Sequence, residues 1–117
     1  MKDYASMSDF EINRSVAIAN GFPPDDCEIA KIGSSLVGVE WDDDTGYATK
    51  VFDFCNNPED AWPIIVENKI TIDAPFPQNQ YWTAEKHDVD GGLLNFHVST
   101  NPLRCAMIVF LMMKEGE

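Results

Sequence analysis

The segment from Leu103 to Met113 sets the hardest condition on the fold. Ten of its eleven residues are apolar, and only Arg104 is polar. Asn101-Pro102 opens it as a helix. The Asn side chain caps, and Pro fits the first turn, where its missing N–H is no loss. A surface helix shows an apolar stripe; one that is apolar nearly all round must be covered on every side. In 117 residues such cover is difficult, because small domains bury a smaller share of their surface. This helix, from about Pro102 to Lys114, is therefore expected either to sit wholly inside the domain or to meet a second chain. On the second alternative Leu103, Met107, Phe110 and Leu111 form the seam of a homodimer.

Local signals place the other elements. Ser8-Asp9-Phe10-Glu11 is a capping box, and Asn20-Gly21 followed by Pro23-Pro24 ends the helix it opens, at about residue 20. Residues 27–32 read as a short strand. Residues 35–42 and 47–54 alternate as a hairpin around Asp43-Asp44-Thr45-Gly46. Pairing Asp42 with Tyr47 sets Val39 against Lys50 and Val37 against Phe52. One face then holds Val37, Val39, Trp41, Ala48 and Phe52; the other holds Gly38, Glu40, Thr49 and Asp53. Asn57-Pro58-Glu59-Asp60 opens a second helix with Ala61, Trp62, Ile64, Ile65 and Val66 as its apolar surface. Pro63 is expected to kink or shorten it. Ile70 to Asp73 reads as a strand, and residues 74–80 as a loop.

A second hairpin, Tyr81–His87 and Leu93–Val98, turns at Asp88-Val89-Asp90-Gly91-Gly92. Pairing His87 with Leu93 sets Trp82 against Val98 and Ala84 against Phe96, which gathers one apolar face. The fold class is therefore α+β: an antiparallel sheet of two hairpins with three helices in one domain. Each hairpin has one apolar and one mixed face, which suits two layers at least as well as three.

The chain carries 20 acidic and 8 basic side chains, a net charge of −12. Direct binding to nucleic-acid phosphates needs the opposite sign. The stretch from Glu40 to Asp60 holds seven acids (Glu40, Asp42, Asp43, Asp44, Asp53, Glu59 and Asp60) against one base, Lys50. These acids either keep the domain soluble or form a surface for a basic partner. Cys27, Cys55 and Cys105 have no Cys-x-x-Cys spacing and read as free buried thiols of a reducing compartment. Charges within Met1 to Asp9 interrupt the apolar run a signal peptide needs, and Cys105 to Met113 is shorter than the roughly 20 residues of a membrane span. A cytoplasmic location is expected.

Three segments together resemble a known family. They are Ser8-Asp9-Phe10-Glu11-Ile12-Asn13, the run from Cys55-Asn56-Asn57-Pro58-Glu59-Asp60 through Ala61-Trp62-Pro63 to Ile70, and the run from Asn101-Pro102-Leu103-Arg104 to Met113. They are similar to the NinX family of lambdoid phages and prophages. A lesser likeness, carried by the order of elements and by Ala61-Trp62, is to the phage α-β-α sandwich domain, which implies three layers. The resemblance implies a phage or prophage origin and an early role in the infected host. It brings no catalytic residues, cofactor or metal with it.

No stretch of the sequence makes a catalytic constellation. Asp88-Val89-Asp90-Gly91 shares its start with a calcium loop but lacks the later ligands, and reads as a turn. His87 and His97 lie about four residues apart on one face of the hairpin, or roughly 13 Å, too far for one zinc ion. Asp42-Asp43-Asp44 reads as a hydrated turn. Ser34-Ser35 after Gly33 lacks the Gly-Lys-Ser/Thr ending of a phosphate loop. No Ser or Cys has a base at local spacing. Trp41, Trp62 and Trp82 read as core. The strand face of Tyr81, Thr83, Glu85, His87, Asn95 and His97 is a candidate recognition surface. The leading expectation is a non-enzymatic acidic module that binds a host or phage protein, basic or DNA-binding, in its sharper form as a mimic of nucleic acid. The alternatives are a metal-dependent enzyme built on Asp42–Asp44 or on His87, Asp88 and Asp90, and a self-assembling structural protein.

Overall fold

A computed structural model describes residues 3–30, 34–75 and 79–117. Three helices and six strands follow in the order α1 (Asp9–Ala19), β1 (Glu28–Ile29), β2 (Val37–Trp41), β3 (Ala48–Phe52), α2 (Pro58–Glu67), β4 (Thr71–Asp73), β5 (Trp82–His87), β6 (Leu93–Ser99) and α3 (Pro102–Glu115). The fold is α+β, as the pattern implies. The two hairpins do not share a sheet. Each takes a third short strand, giving antiparallel sheets of order β1-β2-β3 and β4-β5-β6. Residues 31 and 32 of the first expected strand, and Gly33 before Ser34-Ser35, lie outside the described residues.

The caps fall where side-chain chemistry requires. The Glu11 N–H donates to Ser8 Oγ and the Ser8 N–H to Glu11 Oε1, both at 3.1 Å, closing the capping box of α1. Asn57 Oδ1 accepts from the Glu59 N–H at 3.0 Å to start α2. Asn101 Oδ1 accepts from Leu103 and Arg104 to start α3. Pro63 lies inside α2 without ending it: the helix runs on to Glu67.

α3 is the centre. Sheet β4-β5-β6 covers one side of it, and α1 and α2 cover others, while α1 also meets β2. Every residue from Cys105 to Leu111 is buried. The all-round apolar helix therefore finds its cover inside the chain. Met107, Phe110 and Leu111, expected at a subunit seam, are core, and Leu103 is half-buried against it. A homodimer would have to use another surface.

Three expectations of pairing and burial are corrected. In the first hairpin Val37 faces Phe52, but a bulge at Val39 sets Glu40, not Val39, against Lys50. The extra residue turns the indole of Trp41 back over Gly38, where an added Cβ would come 2.6 Å from the ring. Only glycine fits there. In the second hairpin His87 faces Leu93, but Leu94 is bulged, and beyond it the register slips by one. Ala84 meets His97, and Phe96 meets Glu85, so Phe96 and Val98 face outward, away from α3. On α2 the buried stripe is Ala61, Ile64 and Ile65; Trp62 and Val66 lie to its side and are 60% and 55% exposed.

Phe110→Ala should lower the unfolding free energy by about 3–5 kcal/mol in urea denaturation, the range for a buried phenylalanine truncated in a packed core. Trp62→Ala should change it by less than about 1 kcal/mol, because that ring is mostly in water.

Candidate functional site

The three segments that carry the family resemblance meet at one polar junction. Asn13, on α1 between the core residues Ile12 and Val16, is wholly buried. Its Nδ2 donates to the Ser35 carbonyl at 2.8 Å and to Asp53 Oδ1 at 2.9 Å, and its Oδ1 accepts from the Cys55 N–H at 2.9 Å. Asp53 also accepts from Ser35 Oγ and Asn56 Nδ2, and its N–H donates to Asp60 Oδ2 at 2.9 Å. Asn101 Nδ2 donates to the Cys55 carbonyl at 2.8 Å. Arg104 Nη1 pairs with Asp9 Oδ1 at 2.7 Å, and its Nη2 donates to the carbonyls of Tyr4 and Met7. Among the described residues no buried side-chain nitrogen or oxygen lacks a partner. The junction fastens α1, the turn before α2, and α3 together.

That arrangement divides the acidic set of residues 40–60. Asp53 and Asp60 belong to the junction. Glu59 is exposed at the start of α2, and Glu40, Asp42, Asp43 and Asp44 stand at the far end of the β2–β3 hairpin. The turn there is self-contained: Asp42 Oδ1 accepts from the Asp44 N–H at 2.9 Å, the Asp42 carbonyl accepts from Gly46 at 2.8 Å, and Gly46 has φ +76°. The Trp41 indole N–H then donates to the Asp26 carbonyl at 2.7 Å, which brings the single turn Pro24–Asp26 against the same end. Asp25, Asp26 and Glu28 thereby join it. Among the described residues, the cations nearby are engaged. Lys50 lies 5.7 Å from the ring centroids of Phe22 and Phe52, and Arg14 donates to the carbonyls of Cys27 and Pro24. Asp25, Asp26 and Glu28 are not signalled by the run of acids; the Trp41 contact and the β1–β2 pairing recruit them.

The other sequence candidates resolve individually. Asp88 Oδ1 accepts from the N–H groups of Asp90 and Gly92, at 2.9 and 2.8 Å, so its carboxylate is spent on its own turn. His97 shares the α3-facing side with Ala84, whereas His87 lies on the opposite side of β5; the expected common face does not form. Burial, and then the Arg104 charge, hold the His97 pKa below its ordinary value. Among the described residues no three His, Cys, Asp or Glu side chains are placed to hold a metal ion. The expected recognition face keeps Tyr81, Thr83, Glu85 and His87, loses Asn95 and His97 to the inner side, and gains Phe96 and Val98. The hydrogen bond that protonated Glu85 donates to the Asp73 carboxylate is the main cause that raises the Glu85 pKa, with burial and the Asp73 charge behind it and His87 opposing. Asp73, Thr83, Glu85 and Val98 line an open groove of about 590 Å³. Trp82 is half-buried, as is Trp41; Trp62 is the exposed one.

The family model described as "Bacteriophage P22, NinX" matches residues 3–114, which takes in all three segments of the junction and the acidic end. The chain belongs to the phage P22 NinX family. No curated protein and no solved structure matches it. No helix among the described residues is long and apolar enough to cross a membrane.

Two outcomes test this description. Asn13→Leu keeps the branched shape but strands the Cys55 N–H and takes a donor from Asp53 and from the Ser35 carbonyl; it should lower stability by at least ~2 kcal/mol in urea titration. The second concerns pH. Burial pushes the Cys55 thiol up to about 12 and the Cys105 thiol to about 11, and raises Cys27 and the Tyr4 phenol as well. Above about pH 9 the unfolded chain loses thiol protons that the folded chain keeps, so fewer protons are bound unfolded and stability falls with pH. Each buried thiol contributes a slope of up to ~1.4 kcal/mol per pH unit until the folded value is reached. Urea midpoints measured from pH 7 to pH 11 should fall accordingly, and Cys55→Ala should flatten the curve.

Proposed function

We propose that this NinX-family protein is a non-enzymatic interaction module that works in the cytoplasm of the infected host and docks a basic partner. The observation that carries the reading is the gathering of Asp25, Asp26, Glu28, Glu40, Asp42, Asp43 and Asp44 at one end of the first sheet. Those acids come from two separate stretches of chain, 25–28 and 40–44, which the β1–β2 pairing and one indole hydrogen bond draw together. A set of mostly exposed carboxylates favours a cationic approach and repels phosphate. In the sharper form of the reading, the partner is a DNA-binding protein and the carboxylates occupy the place of backbone phosphates.

Charge-driven docking weakens steeply with salt, because exposed pairs are screened within a Debye length of about 8 Å at physiological ionic strength. The tagged chain and a neutralised variant (Asp25→Asn, Glu40→Gln, Asp43→Asn, Asp44→Asn) are compared as baits in infected and uninfected host lysates. The expected result is a stoichiometric partner held by the natural chain at low salt, released at high salt, and lost by the variant. Displacement of that partner by duplex DNA supports mimicry. A partner retained equally by both baits, or indifferent to salt, overturns the assignment of the acidic end.

A further inference from the structure

The second sheet has two edge strands, β4 of three residues and β6 of seven. β6 pairs with β5 and packs on α3, and its other edge pairs with no strand among the described residues. Open edges are ordinarily protected by lysine, proline, short length or a cover of loop. β6 is seven residues long, Leu93-Leu94-Asn95-Phe96-His97-Val98-Ser99, with no charged residue and no proline. Its single bulge, at Leu94, leaves Asn95–Ser99 regular. Phe96 is 54% exposed and Val98 46%, both on the face turned away from α3. In a chain of net charge −12, an uncharged, apolar and unpaired edge is the surface least explained by solubility.

We propose that β6 pairs antiparallel with β6 of a second copy, joining two sheets into one of order β4-β5-β6-β6-β5-β4. The sequence of the strand is self-complementary for that purpose. A two-fold axis through the pairing keeps the parity of positions, so outward residues meet outward residues and inward meet inward. With the axis at His97, the middle of the regular stretch, Phe96 lies opposite Val98 of the second copy, and Asn95 opposite Ser99. Apolar meets apolar on the outer face, and polar meets polar on the inner one. Aromatic pairs with β-branched residues are favoured cross-strand neighbours. The acids of the same outer face, Asp73 and Glu85, stand on β4 and β5 and are set back from the seam. The charge that keeps copies apart elsewhere is therefore absent where they would meet. The dimer is independent of the acidic end, which belongs to the other sheet.

The test is the mass of the full chain by light scattering across a concentration series, with far-UV circular dichroism to confirm folding. The expected mass at high micromolar concentration is twice the 13.1 kDa of the chain. Val98→Lys places a charge on the seam and should halve that mass without changing the dichroism. Trp62→Lys, on the exposed side of α2, should leave it doubled. Amide exchange gives a second readout on the unmodified chain: protection at Asn95–Ser99 should rise with concentration. A single-chain mass throughout the series, or a folded Val98→Lys chain that still doubles, overturns the proposal.

Discussion

Burial of α3 on every side is the constraint from which the rest of the architecture follows. Cys105, Ala106, Met107, Ile108, Val109 and Phe110 are at or below 1% exposure, so no face of that helix is left to water. A single sheet can cover only one side of a cylinder. The chain answers with sheet β4-β5-β6 on one side and helices α1 and α2 on others, and it places the first sheet beyond α1. Two small sheets are the consequence. So is the exposure of Phe96 and Val98 on the outer face of the second one.

Apolar burial alone does not fix how a helix is rotated or where along its axis it sits, since the driving force is non-directional. The polar junction supplies that. Arg104 at the first turn of α3 is tied to Asp9 and to two carbonyls, and Asn101 just before it is tied to the Cys55 carbonyl. Further along, Cys105 Sγ lies within 3.3 Å of the carbonyls of Trp82 and His97, marking the register against the second sheet. A slide of one turn would leave the guanidinium without partners in a half-buried place, a cost of several kcal/mol. The family segments are therefore explained by folding: they hold the central helix in one position.

What could be read in advance was what is local. Ser8, Asn57 and Asn101 announce their helices because a cap involves neighbours two or three residues away. The fold class and the wholly apolar helix were legible for the same reason. The bulges at Val39 and Leu94 were not. A bulge changes neither composition nor turn chemistry, yet it reverses the alternation beyond it. That is why Phe96 and Val98 were assigned to the covered face and lie on the open one. Trp62 was assigned to the core on the habit of its residue type, when the i, i+3, i+4 stripe of Ala61, Ile64 and Ile65 already had its full width. Asp53 and Asp60 looked like surface acids because their partners, above all Asn13, are distant in sequence. One signal was present: an asparagine in the apolar stripe of α1 must find hydrogen bonds inside the fold. The acidic end was only half visible, since the Trp41 indole that recruits Asp26 acts across fifteen residues.

The distribution of charge is more telling than its total. A net charge of −12 spread evenly would repel every copy of the chain and attract any cation without preference. Instead, seven acids gather about the β2–β3 hairpin, and β6 carries none. Beyond a Debye length the repulsion between copies is screened, so what decides association is the composition of the contact itself. At the hairpin the acids disfavour the approach of another anionic surface. At β6 the same test selects an uncharged strand, with apolar residues at alternate positions and free backbone groups between them. The two sheets therefore present opposite selection rules on one small domain, and the polar junction around Asn13 and Arg104 holds them in a fixed relation to the shared helix.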